Sequence, residues 1–186
     1  KYMKKSVFIA EKPSVAQEFA KALKVKTTRH DGYLESENTI VTWCVGHLVT
    51  MSYPEVYDIK YKRWTLETLP FLPGKFKYEV IPAVRKQFEI VSGLLNRADV
   101  ETIYVCTDSG REGEYIYRLV AQMAGVKGKK EKRVWIDSQT EEEIIRGIKE
   151  AKDLSAYDNL SASAYLRAKE DYLMGINFSR ILTLRY

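Results

Sequence analysis

Apolar positions recur along this chain with two periods, and the switches between them outline its elements. SVFIA (6–10) is a short apolar run that predicts a strand, and beyond Glu11-Lys12-Pro13 the positions Ala16, Phe19, Ala20 and Leu23 fall on one helix face. Ser14 and Gln17 stand at capping-box spacing for the start of that helix. GYLES, NTIVTW and, further on, FKYEVI predict short strands. Between the last two, residues 46–74 are punctuated by proline and show little periodicity, and irregular stretches of that length are often functional. Val84, Phe88, Val91 and Leu95 mark the next helix face.

The alternation then repeats. TIYVCT (102–107) predicts a strand that ends at Asp108, and Ile116, Leu119, Val120 and Met123 line the helix beyond it. RVWID predicts a further strand, after which Thr140 and Glu143 are spaced to cap a helix with Ile144, Ile145 and Ile148 inward. Strands alternating with helices give an α/β domain with a mainly parallel sheet flanked by helices. Ligands of such sheets bind beyond the carboxyl ends of the strands. Glu11 and Asp108 both follow strand ends, so their carboxylates converge if those strands are neighbours. From about Asp153 the pattern is helical only, with Leu160, Ala164 and Leu173 apolar, which places a domain boundary there. No Gly or Pro terminates this helix at Tyr186, the pattern of a segment cut from something longer.

Composition narrows the class. With 45% hydrophobic and 12% aromatic residues among 186, the chain is globular rather than disordered. No apolar run approaches the roughly 18 residues of a membrane span, and Lys1 to Lys5 lead into a strand rather than a signal peptide. A soluble cytoplasmic protein without a membrane partner is expected. Cys44 and Cys106 lie inside TIVTWCV and TIYVCT with no Cys or His at metal-ligand spacing, so buried reduced thiols are expected. The net charge of +5 favours a polyanionic partner without proving one.

Acids concentrate in AEKPS (10–14) and TDSGREGE (107–114). Hard divalent cations take oxygen ligands, and magnesium keeps some water and is shared with phosphate. Glu11, Asp108 and Glu112 are the candidate ligands, with Arg111 available to a phosphate. The alternative is capping, since Asp108 precedes a helix and acids in a first turn suit the dipole. Ser109, Gly110 and Gly113 keep the turn open to a close approach, which favours the cation. His47 in VGHL, a lone histidine, reads as a satisfied structural residue, and KGKKEKR (127–133) reads as a solvated turn.

Taken in order, FIAEKPSVAQEFAKAL, WCVGHLVTMSYPEVYD with RWTLETLPFLP, and TDSGREGEYIYRLV resemble the Toprim region of topoisomerase III, a type IA DNA topoisomerase. RVWIDSQTEEEI resembles the segment closing that region, and RAKEDYLMGINFSRILT the opening of the helical DNA-binding domain behind it. The resemblance implies a Rossmann-like Toprim domain over 1–153, the beginning of a truncated helical domain over 154–186, a magnesium cofactor, and single-stranded DNA as partner. It implies that Glu11 protonates the leaving 3′ hydroxyl when a tyrosine attacks the phosphodiester, that Lys12 steadies the phosphate, and that His47, in the family's Gly-His-Leu segment, is a neighbour of the acids rather than a structural histidine. Crowding by Asp108 and Glu112 would raise the Glu11 pKa for that role. Arg167, Asp171, Asn177 and Arg180 match positions that meet single-stranded DNA or brace the arginine that does, and their alternative is a solvated helix face.

Two departures matter. The family's metal motif is Asp-x-Asp-x-Glu, and Gly110 stands at its second aspartate, which puts a second metal in doubt and leaves Glu114 either to substitute or to serve the helix N-terminus. The family's nucleophilic tyrosine lies in a later domain in a Tyr-Pro-Arg-Thr context that none of the 13 tyrosines has. The chain thus reads as half of a transesterification site, inactive alone and completed by the remaining domains of the same polypeptide. The alternative is a module that holds magnesium and single strands without cutting; a Toprim nuclease or primase fits the GHL, LPFLP and GINFSR segments less well.

Overall fold

The computed structural model describes residues 3–186, so Lys1 and Tyr2 of the lead-in lie outside the described residues. β1 (Lys5–Ala10) leads to α1 (Pro13–Leu23), then to β2 (Thr28–His30), β3 (Tyr33–Glu35) and β4 (Thr39–Trp43). β5 (Val49–Met51) and β6 (Tyr78–Val80) bracket the irregular segment, and α2 (Arg85–Leu95) returns the chain to β7 (Val100–Cys106). α3 (Arg111–Ala124), β8 (Lys130–Arg133), α4 (Glu141–Lys149), β9 (Lys152–Asp153) and α5 (Asp158–Arg185) follow.

The main sheet has the order β2-β3-β4-β1-β7-β8-β9, parallel from β4 to β8 and antiparallel at both edges. Parallel strands covered on both faces are apolar in runs rather than in alternation, and Val7 to Ala10 are all buried. On one face Phe8, Ala10, Val41 and Trp43 pack with Val15 and Phe19 of α1 and Ile144 of α4. On the other, Val7, Ile9 and Ile103 pack with Val91 of α2, Ile116 and Val120 of α3 and Ala164 of α5. The α/β class with a mainly parallel sheet is therefore observed. Among the described residues no helix is long and apolar enough to cross a membrane.

Several local expectations change. The strand expected at RVWID lies earlier, at Lys130–Arg133, so the latter half of the basic run is a sheet strand and not a solvated turn. Two of its charges are withdrawn from water with a partner, while Lys130 stays exposed. Glu131 accepts the Tyr117 hydroxyl at 2.5 Å, and Arg133 meets Glu114 at 2.8 Å. α1 begins at Pro13, whose missing N–H suits a first helical position, so Lys12 is its N-cap and the Ser14–Gln17 box does not form. At α4 the Glu143 N–H does donate to Thr140 Oγ1 at 3.3 Å, while the Glu143 carboxylate takes Asp137 N–H and Arg146 instead. β6 pairs with β5 in a separate two-stranded sheet rather than joining the main one.

The irregular segment is clasped to α5. Phe71, 2% exposed, sits among the rings of Tyr57, Tyr61 and Tyr172. The Tyr172 hydroxyl donates to Ser52 O at 2.6 Å.

Candidate active site

β1 and β7 are adjacent and parallel, with Ala10 opposite Cys106, so the chain leaves both strands at the same carboxyl edge. That register brings Glu11 and Asp108 together: the Asp108 N–H donates to Glu11 Oε1 at 3.2 Å. Glu11 is only 8% exposed. Burial first, and then the negative charge of Asp108, raise the Glu11 pKa above its ordinary value, against the weaker pull of Lys12. The expected crowding by Glu112 is not among the causes. Below the pair, burial and then the Glu11 charge push the Cys44 thiol up to about 12, so it stays neutral; Cys44 and Cys106 are both buried and free.

The turn after Asp108 is set by its glycines. α3 has Gly110 as N-cap, at φ 153° and ψ 178°, a region essentially confined to glycine, and no side chain caps the helix. Asp108 is thus not a capping residue here. At Gly113 an added Cβ would lie 1.9 Å from Asp108 O, so the first turn of α3 packs directly on the Asp108 backbone.

Glu112 goes elsewhere. Its exposed carboxylate meets His47 Nε2, whose ring also stands edge-on to Tyr115. The three-carboxylate cluster expected of Glu11, Asp108 and Glu112 is therefore not assembled, and among the described residues no three His, Cys, Asp or Glu side chains form a group able to hold a metal ion. A buried carboxyl beside the exposed Asp108 still suits one hydrated magnesium ion, which takes one or two protein carboxylates and keeps its waters.

Glu114 is neither a ligand nor a solvated first-turn acid. Its side chain is wholly buried, with Arg118 Nε 2.8 Å from one oxygen and Arg133 Nε 2.8 Å from the other. Sequence reasoning passed over Arg133 because it ends a basic run that has no apolar periodicity.

A cleft of about 330 Å³ opens between α3 and α5, with His47, Arg111, Glu112, Arg167 and Asp171 on its walls. Arg167 and Asp171 are exposed there, beside Arg111. Asn177 and Arg180 are not part of it, being roughly 9–14 Å beyond Asp171 along the helix. Asn177 Oδ1 accepts the Phe71 N–H at 2.6 Å and its Nδ2 donates to Phe71 O at 3.0 Å. Arg180 is 3% exposed, with its guanidinium 5.2 Å from the Trp64 ring and Nε and Nη1 without hydrogen-bond partners. The four α5 residues expected to act on one DNA strand thus divide between an open cleft and the underside of the irregular segment.

Residues 6–138 match the family model described as the Toprim domain. The chain is 48% identical over 184 residues to DNA topoisomerase 3 of Bacillus thuringiensis (strain Al Hakam), covering 99% of this chain and 25% of that protein. The figures are the same for DNA topoisomerase 3 of Bacillus anthracis. For DNA topoisomerase 3 of Staphylococcus epidermidis they are 44% over 182 residues, 98% and 25%. The chain spans about a quarter of the length of the curated relatives it matches. With its parallel sheet, its strand-end acids and a match over residues 6–138, this chain belongs to the Toprim-domain family.

Proposed function

We propose that this chain is the Toprim part of a type IA DNA topoisomerase, with a Toprim domain over 1–153 and the start of a helical DNA-binding domain over 154–186. Joined to a tyrosine-bearing domain of the same polypeptide, it cleaves and reseals single-stranded DNA by transesterification. The observation that carries this reading is Glu11, a buried carboxyl with a raised pKa at the carboxyl edge of the sheet. An acid in that state holds a proton at pH values where a free glutamate does not, as protonation of a leaving 3′ oxygen requires. On resealing the same carboxylate takes the proton back.

Lys12, exposed one residue on, is placed to steady the scissile phosphate. Asp108 and Glu11, joined by Glu112 if it leaves His47, would hold magnesium, which supplies positive charge to the phosphate when bound. Arg111 and Arg167, facing one cleft with Asp171 beside them, offer forked donors to strand phosphates. Asn177 and Arg180 are assigned to the same strand by resemblance, with Asn177 acting by holding Phe71 in place.

The test is Glu11→Gln in a polypeptide that includes the tyrosine domain. General acid catalysis is typically worth about 100-fold to 10,000-fold, so cleavage of a labelled single strand should fall in that range. Its dissociation constant at fixed salt should hold or tighten slightly, because one negative charge near phosphate is gone. Cleavage at the wild-type rate would remove Glu11 from the acid role.

A second reading, a non-cutting module for magnesium and single strands, draws on Gly110, which carries no carboxylate, and on Glu112, which is engaged by His47. Supercoil relaxation by the complete polypeptide separates the two readings.

A further inference from the structure

Arg133 and Glu114 are wholly buried, and no chemistry assigned above uses them. Two opposite charges withdrawn from water lose their hydration, and a single contact does not restore it. Arg133 Nε and Glu114 Oε2 lie 2.8 Å apart, yet not in line as a hydrogen bond. The rest of the guanidinium is more fully engaged. Its Nη1 donates to the carbonyls of Thr107 at 2.7 Å, Val105 at 3.0 Å and Val134 at 3.2 Å, and its Nη2 to Asp108 O at 2.8 Å. The ring of Trp135 lies 5.3 Å from the guanidinium carbon.

Most of these acceptors belong to the end of β7 and the turn that carries Asp108. An apolar pair of similar volume would fill the same space, so packing alone does not call for this arrangement. A planar fork with five N–H donors does what an apolar pair cannot, reaching carbonyls that point in different directions. Glu114 in turn is held from its other side by Arg118, which also donates to Asp158 Oδ1 and Leu154 O, both at 2.9 Å.

We propose that Arg133, held by Glu114, is a positioning residue for Asp108: it clamps the Thr107 and Asp108 carbonyls and so fixes the turn that sets the Asp108 backbone N–H and carboxylate against Glu11. The inference rests on the reading of Glu11 and Asp108 as the cation-binding acids only for its effect on magnesium, and not for its effect on the turn.

The test compares the present chain with Asp108→Ala, with Arg133→Lys, and with the double substitution Glu114→Leu, Arg133→Met. Three quantities are read: the urea midpoint, the exchange rate of the Asp108 amide hydrogen by NMR, and magnesium affinity by titration calorimetry. The double variant removes both buried charges together and should keep the fold. Its Asp108 amide should exchange about tenfold faster relative to the core amides, as loss of one ordinary hydrogen bond allows, and magnesium affinity should fall severalfold. Arg133→Lys keeps the charge opposite Glu114 but not the fork, and should show the same local change even if the double variant does not fold. An unchanged Asp108 exchange rate in a folded variant overturns the clamp. Magnesium affinity that survives Asp108→Ala overturns the cation assignment instead, and leaves the exchange rate to judge Arg133.

Discussion

The backbone N–H of Asp108 points at the carboxylate of Glu11, 3.2 Å away across two adjacent parallel strands. The strands bring the acids together, and burial then makes Glu11 resist ionisation. Glu11 is buried and its pKa is raised, whereas Asp108 is exposed. Two carboxyls on one sheet edge thus stand in different surroundings, one withdrawn from water and the other open to it.

That difference makes stability depend on pH in a predictable sense. With its folded pKa raised above the ordinary 4.5, Glu11 keeps its proton in the folded chain over a range where the unfolded chain has released it. Stability is therefore fully present below the unfolded value and is lost as pH rises through the folded one. Glu11→Gln removes this titration while keeping an oxygen to accept the Asp108 N–H. Its urea midpoint should exceed wild type at about pH 7, and the advantage should vanish below about pH 4, where Glu11 is protonated in both states. Parallel midpoint profiles for the two proteins would show that Glu11 ionises normally.

How much of this was legible in the sequence follows from the range of the interactions involved. Glu11 and Asp108 could be placed because strand ends are local features, and a parallel sheet gathers its strand ends on one edge. The partner of Glu112 could not, because His47 is 65 residues distant in sequence. Arg133 escaped for a related reason: a Lys-Glu-Lys-Arg stretch has the pattern of a solvated turn, and its burial depends on Tyr117 and Glu114, which sit on another element. Apolar periodicity reveals which faces are buried by hydrophobic transfer. It is silent where charges are buried in pairs.

Gly113 offers a test of how tightly the acidic turn is built. The atom an alanine would add lies 1.9 Å from Asp108 O and 2.9 Å from Asp108 N, and backbone cannot swing aside as a side chain can. Overpacking typically costs about 1–3 kcal/mol, and Gly113→Ala is expected at or above the upper end. Gly93→Ala in α2, where an added Cβ meets nothing within 4 Å, is the control and should stabilise by about 0.5–1 kcal/mol through helix propensity. Denaturant midpoints decide the comparison. A Gly113 variant as stable as the Gly93 variant would mean that the turn yields freely.

The last prediction concerns the clasp between α5 and the irregular segment. Asn177 meets both backbone polar groups of Phe71, accepting at 2.6 Å and donating at 3.0 Å, and donates to Leu173 O at 2.8 Å. An alanine there removes these bonds and leaves the N–H and C=O of a residue only 2% exposed without their partners. Leaving buried groups unsatisfied costs about 1–3 kcal/mol, so Asn177→Ala should lower stability by that order. The loss should be local as well as global, because Phe71 is the ring on which Tyr57, Tyr61 and Tyr172 converge. Limited proteolysis should then cut within residues 52–77 faster than in wild type, at a denaturant concentration where both proteins remain folded. If instead Asn177→Ala weakens single-strand binding while the proteolysis rate and the denaturant midpoint stay at wild-type values, the amide meets DNA directly and the clasp does not depend on it.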